Sequence, residues 1–119
     1  MTLQEFYQNV GGSYEKALAR LCSAALIERF VQKYTQDTTF EQLWEALTQQ
    51  DWETAFRASH TLKGMAANLG FDRMFACASD LTEALRGPKA LALDQAELWQ
   101  AVEKEQNCLL KNIKNLGNE

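Results

Sequence analysis

The chain has 119 residues, 46% of them hydrophobic and 24% charged, which suits one domain built around one core. A formal net charge of −4 argues against a general nucleic-acid or membrane-surface role. No window approaches the roughly 18 apolar residues of a membrane span, and Met1-Thr-Leu-Gln-Glu-Phe6 lacks the basic and apolar regions of a signal peptide.

Proline occurs once, at Pro88, and no stretch keeps a period of two, so the chain reads helical throughout. Residues 2–9 form a short helix with Leu3, Phe6 and Tyr7 on one side; Gly11-Gly12 stops it and Ser13 caps the next helix. From Tyr14 to Tyr34, the residues Tyr14, Leu18, Leu21, Ala25, Phe30 and Tyr34 keep near-helical spacing, with a break near Cys22-Ser23 where Ser23 is a second cap. Thr35 to Thr38 is a polar turn. Thr39-Phe40-Glu41-Gln42 then has capping-box spacing and opens a helix through Leu43, Trp44 and Leu47.

Asp51 is a good N-cap for a helix running to Leu69, and Asn68-Leu69-Gly70 ends it with a glycine free to turn left-handed. A short link leads into a helix over residues 72–86, whose stripe is Met74, Phe75, Ala78, Leu81 and Leu85; two amphipathic helices so closely joined predict an antiparallel hairpin. Gly87-Pro88 breaks the chain and Lys89 to Leu93 reads as loop. Asp94 caps a last helix of about twenty residues, with Leu98, Val102, Leu109, Ile113 and Leu116 facing inward and Gly117 at its end. The aromatics Trp44, Trp52, Trp99 and Phe30 are assigned to packing. Cys22, Cys77 and Cys108 are odd in number, far apart and without a C-x-x-C pair; buried free thiols in a reducing cytoplasm are expected, not a disulfide or zinc framework. The fold class is therefore all-α: an up-and-down antiparallel four-helix bundle with an additional N-terminal helical segment, one domain over residues 1–119, expected to be a monomer.

The only histidine, His60, sits in the middle of the helix from Asp51 to Leu69. At about 100° per residue, Ala55, Ala58, Leu62, Met65 and Leu69 fall within roughly 60° of the pole opposite His60 and form the core-facing stripe. His60 points away from them, with Arg57 and Lys63 at i−3 and i+3 and Gly64 at i+4, spacings that share a face. A neutral imidazole nitrogen can attack phosphorus and carry the phosphoryl group, and neighbouring cations offset the charge on its oxygens. Glycine inside a helix costs up to about 1 kcal/mol relative to alanine, and at Gly64 it keeps the helix surface open to a second molecule. A plain solvated surface is the alternative for an isolated H-x-x-K-G.

The wider run favours the first reading. His60-Thr-Leu-Lys-Gly64, followed by Ala66-Ala67-Asn68-Leu69-Gly70-Phe71, resembles the signature of histidine-containing phosphotransfer (HPt) domains, which relay phosphoryl groups between receiver aspartates in two-component phosphorelays. The diagnostic part is Arg57 to Arg86. The resemblance implies that His60 accepts and donates the phosphoryl group through Nε2, that Lys63 holds the phosphoryl oxygens, and that Gly64 keeps the approach open. In many relatives a Gln or Glu on the next helix hydrogen-bonds the other ring nitrogen; counting without gaps, that position is Thr82, whose side chain is shorter. Geometry adds Arg57 as a second cation, and Phe56 and Ala67 as part of a small or apolar patch on the His60 face suited to docking by a receiver domain.

The expected mechanism is passive relay between response-regulator receiver domains, or from a hybrid histidine kinase. No cofactor is expected on this chain; any Mg²⁺ belongs to the receiver. No glycine-rich nucleotide loop and no acidic cluster is seen, so autophosphorylation from ATP is not expected, and the protein is a phosphocarrier more than a stand-alone enzyme. Two rivals come from other classes. One is a helical binding or scaffold module in which His60 is incidental. The other is the phosphotransfer module of a chemotaxis-type kinase, loaded by an ATP-binding domain elsewhere; Met1 and the polar Gly117-Asn-Glu119 tail favour a freestanding protein instead. One histidine and three dispersed cysteines make a four-ligand metal site the weakest option.

Overall fold

Local capping chemistry places most of the helix ends. In the computed structural model, which describes residues 1–87 and 96–117, Thr2 and Glu5 form a full capping box ahead of α1 (Leu3–Asn9). The hydroxyl of Ser13 accepts from the Lys16 amide to start α2 (Tyr14–Leu21), and that of Ser23 accepts from the Leu26 amide to start α3 (Ala24–Tyr34). Asp51 does the same for α5 (Trp52–Leu69) through the Thr54 amide at 3.2 Å. Gly70 closes α5 in the left-handed region, at φ 71°. The helix over residues 39–48, α4 (Thr39–Thr48), begins differently from the capping-box expectation. Its N-cap is Thr38, which makes no side-chain cap bond, and the Asp37 carboxylate accepts from the Thr39 amide at 2.8 Å. Thr39 is buried inside the helix, which leaves it no capping role. Helix α6 (Asp72–Ala84) ends two residues before Arg86, and α7 (Ala96–Gly117) completes the chain. The expected break at Pro88, the loop over residues 89–93 and the Asp94 cap lie outside the described residues. No strand occurs among the described residues.

The bundle consists of α4, α5, α6 and α7. Helix α5 packs along both α4 and α6, and α6 packs along α7. The two-residue link Gly70-Phe71 makes α5 and α6 the expected antiparallel hairpin. The N-terminal helices brace this bundle: α1 lies against α7, and α2 and α3 lie against α5. The brace is pinned at the α5–α6 turn. The Tyr7 hydroxyl donates to the Leu69 carbonyl at 2.6 Å, the Ser13 amide to the Gly70 carbonyl at 2.8 Å, and the Arg73 amide to the Gly11 carbonyl at 3.0 Å. Gly11-Gly12 therefore does more than stop α1; it seats the turn between α1 and α2 on the turn between α5 and α6.

Burial follows the expected stripes with instructive exceptions. Ala55, Ala58, Leu62 and Leu69 of α5 are buried, but Met65 is half-buried and Ala66 takes the core position. In α6, Phe75 is exposed while Met74, Ala78, Leu81 and Leu85 are buried. In α7, Val102, Leu109, Ile113 and Leu116 are buried and Leu98 only half so. In the 14–34 stretch the left-handed Cys22 (φ 68°) resets the helical phase, so Ile27, Val31 and Tyr34 face inward while Ala25 and Phe30 are exposed. Of the aromatics assigned to packing, Trp99 is buried and Trp52 half-buried, whereas Phe30 and Trp44 are 40% and 49% exposed. Trp44 lies as a lid, stacked 5.0 Å from Trp99, which in turn stacks 4.9 Å from Phe40. All three cysteines are free, with Cys22 exposed and Cys77 and Cys108 half-buried, so the expectation of buried thiols fails at Cys22.

Candidate functional site

The middle of α5 presents two adjacent residues in opposite settings. Ser59 is wholly buried against α6, and His60 is exposed on the outer surface. The Ser59 hydroxyl lies 2.7 Å from the Thr82 hydroxyl and 3.2 Å from the Ala78 carbonyl, and Thr82 donates to that carbonyl at 2.6 Å. Each hydroxyl has one proton and both reach the Ala78 carbonyl, so either one can donate across the 2.7 Å contact between them. This relay of hydroxyls fixes the register of α6 on α5 one residue from the imidazole. It also corrects the expectation for Thr82. Its side chain is fully buried, its hydroxyl is committed to the helix interface, and it forms no part of a partner surface. Among the described residues no side chain hydrogen-bonds the His60 ring nitrogens.

His60 opens into a shallow depression lined by Phe56, Arg57, Thr61 and Arg86. The Phe56 ring, half-buried one turn before His60, has its centroid 6.2 Å from that of the imidazole. The Arg86 guanidinium lies over the same phenyl ring at 5.1 Å. Arg86 also grips Glu83 with two nitrogens, at 3.0 and 3.3 Å, and these hydrogen bonds push its pKa up. Arg57 is exposed, shares the depression with His60, and faces Glu53 at 3.9 Å. A polar groove continues from Arg57 and Thr61 toward α4, where Thr39 and Gln42 form its far wall.

Lys63 is half-buried, and its ammonium lies 5.6 Å over the ring of Phe75. With Ser59 opposite Thr82 in an antiparallel pair, Phe75 stands level with about position 66, so the ammonium is directed away from His60. Gly64 is exposed, and a Cβ built on it meets nothing within 4 Å. Ala67 is half-buried one turn further along. The depression thus gathers His60, Phe56 and Arg57 as expected, leaves Lys63 nearby on Phe75, and excludes Thr82. It adds Arg86, which sequence reasoning did not select. The available signal was its place four residues after Thr82, on the same face of the α6 stretch.

A larger groove lies apart from His60, lined by Leu21, Phe30 and Tyr34 on one side and Met65 and Leu69 on the other. Among the described residues no group of three or more His, Cys, Asp or Glu side chains is placed to hold a metal ion, and no helix is long and apolar enough to cross a membrane. The chain can therefore offer an exposed imidazole on a rigid helix, an aromatic neighbour, and three cations each parked on an aromatic ring or a carboxylate.

Comparison with known proteins found one family. The model of the Hpt domain matches residues 25–117, most of the chain, and contains α4 to α7 entire; α1 and α2 precede the match. Curated proteins and solved structures yielded no match.

Proposed function

The chain belongs to the Hpt domain family, whose business is histidine phosphotransfer in phosphorelays, and on that premise we propose that it relays a phosphoryl group between receiver-domain aspartates through a phosphohistidine at His60. One observation carries the assignment. The matched segment holds a single histidine, the only one in the sequence, and that histidine is exposed at the middle of a packed helix.

In the forward step the Nε2 lone pair of His60 forms an N–P bond while the P–O bond to the receiver aspartate breaks. The electron pair leaves on the aspartate carboxylate, and the Nδ1 proton stays on the ring until water takes it. The return step to a second receiver reverses these changes. Mg²⁺ in this scheme sits on the receiver. The Lys63 ammonium, on a flexible four-carbon stem, swings from Phe75 to the phosphoryl oxygens. Gly64 offers bare helix backbone to the receiver, with Phe56 and Ala67 bordering the contact. The partners are receiver domains and a hybrid histidine kinase, and the setting is the cytoplasm, where three free thiols are stable. The carrier acts as a monomer.

The test is phosphoryl transfer from a phosphorylated receiver with Mg²⁺, comparing wild type with His60→Gln. Acid-labile label on wild type and none on the variant is the expected result. Equal labelling of both, or no label on wild type from the cognate regulator, would leave a scaffold role as the better account.

A further inference from the structure

We propose that Phe56 is a positioning residue for the phosphoryl chemistry at His60, its anchored ring orienting an imidazole that no hydrogen bond holds. The proposal rests on the phosphohistidine reading above. Three observations support it. The Thr82 hydroxyl is committed to Ser59 and Ala78, and no side chain among the described residues hydrogen-bonds the His60 ring nitrogens. Orientation of the ring is therefore left to packing. The second observation is the contact. The Phe56 ring lies one helical turn before His60, its centroid 6.2 Å from that of the imidazole and its plane tilted by 36°. Helical side chains lean toward the N-terminus of their helix, so the imidazole rests over the turn that holds Phe56. The third observation is that Phe56 is anchored in its turn. It is half-buried against the core. It shares a groove wall with Trp52, one turn earlier, and with the buried Leu85 at the end of α6. The Arg86 guanidinium lies 5.1 Å over its ring. A mobile neighbour could not orient His60, whereas an anchored one does.

Rotamers set the size of the effect. A helix leaves the His60 side chain two χ1 wells, at about 180° and about −60°, because the third drives it into the preceding turn. The χ2 torsion is roughly two-fold, so an unsupported ring samples about four orientations. Each aims Nε2 differently, and in-line attack needs that nitrogen about 3–3.5 Å from phosphorus with its lone pair aligned. A flat ring packed beside the imidazole removes the orientations that would collide with it. Selecting one orientation of about four raises the rate of attack by up to about fourfold. Phe56 stands on the same helix as His60, so it acts before any receiver arrives and acts equally on a small phosphoryl donor. A residue that only touches the receiver does not.

The experiment loads wild type, Phe56→Ala, Phe56→Leu and Phe56→Tyr from two donors, a phosphorylated receiver with Mg²⁺ and potassium phosphoramidate. With phosphoramidate the His60 N–P bond forms as the donor P–N bond breaks, and ammonia leaves with that electron pair, so no protein docks. Before loading, NMR three-bond couplings of the His60 Cβ protons report χ1, and NOEs from the imidazole protons report χ2. Phe56→Ala is expected to slow loading about fourfold with both donors and to show averaged couplings. Phe56→Leu keeps apolar volume against the core without a ring plane, and is expected to lose about twofold. It also supplies the answer if circular dichroism shows the alanine variant to be poorly folded. Phe56→Tyr keeps the ring and should retain the wild-type rate and couplings. Phosphoramidate rates at the wild-type level in Phe56→Ala and Phe56→Leu would overturn the proposal while leaving the phosphohistidine intact. A loss seen with the receiver alone would also overturn it, making Phe56 a docking residue, as would slower loading with unchanged couplings and NOEs. Absence of label on wild type from both donors would sink the phosphohistidine reading itself, and this one with it.

Discussion

Ser59, His60 and Thr82 show how much one residue's step around a helix decides. His60 projects to solvent, while Ser59, about 100° away, carries its hydroxyl into the α5–α6 interface and meets Thr82 there. The resemblance to the family leads to the expectation that Thr82 turns toward the histidine. Here its hydroxyl is used to satisfy buried polar groups and set helix register. Thr82→Val keeps the shape and removes that hydroxyl, leaving Ser59 with its 3.2 Å bond to the Ala78 carbonyl. The expected cost is about 1 kcal/mol of stability, read as a lower denaturation midpoint. Phosphoryl transfer to His60 should change less than about twofold, in line with the burial of Thr82. A collapse of transfer with unchanged stability would mean that Thr82 serves the imidazole after all.

At the scale of the element, α5 and its C-terminal stop carry two glycines with opposite requirements. Gly64 lies mid-helix with nothing within 4 Å of a built Cβ. Gly64→Ala should therefore stabilise the protein by up to about 1 kcal/mol through helix propensity. It should at the same time slow transfer from a receiver, because the new methyl stands on the docking face, and leave loading by phosphoramidate unaffected. A variant more stable and equally fast with a receiver would remove Gly64 from the docking surface. Gly70 is the reverse case. Its φ of 71° disfavours a side chain, and a Cβ there would lie 2.6 Å from the Ser13 carbonyl. Gly70→Ala should lose more than about 1 kcal/mol, with the loss spreading to the N-terminal brace seated on that turn.

The whole molecule is tied together by two buried tyrosines. Tyr7 of α1 donates to the Leu69 carbonyl of α5, and Tyr34 of α3 donates to the Gln106 side chain of α7. Burial pushes both phenol pKa values well above the ordinary value near 10, with nearby acids adding to the effect at Tyr34. The sign of the pH dependence comes from proton binding. Above about pH 10 the unfolded chain releases the two phenolic protons that the folded chain retains, so stability is full below that value and falls as pH rises past it. Alkaline titration monitored by circular dichroism should show unfolding above about pH 10, with a midpoint shifted upward in Tyr34→Phe, which removes one of the two titrating phenols. Phenolate absorbance from more than one of the three tyrosines near pH 10, before any loss of helix, would contradict the assignment of Tyr7 and Tyr34 as buried donors.

How much of this is legible in the sequence depends on the distance over which each property is decided. Helix positions, the caps at Ser13, Ser23 and Asp51, the left-handed stop at Gly70 and the outward face of His60 depend on neighbours within about one turn, and local spacing encodes them. The phosphotransfer reading is legible for the same reason, since its signature is one continuous run on one helix. Phe75 and Phe30 depart from their expected burial because an apolar residue at the edge of a stripe faces either core or solvent according to how its helix is rotated, which periodicity leaves open by tens of degrees. Trp44 departs from it because a large ring can cover the core without entering it. The sequence by itself determined an all-helical chain with an exposed histidine flanked by cations. Only the tertiary structure decided that Arg86 joins Arg57 in the imidazole's depression, and that Thr82 turns inward. Both rest on contacts between α5 and the α6 stretch more than about twenty residues away, whose register is set by packing and by one pair of buried hydroxyls.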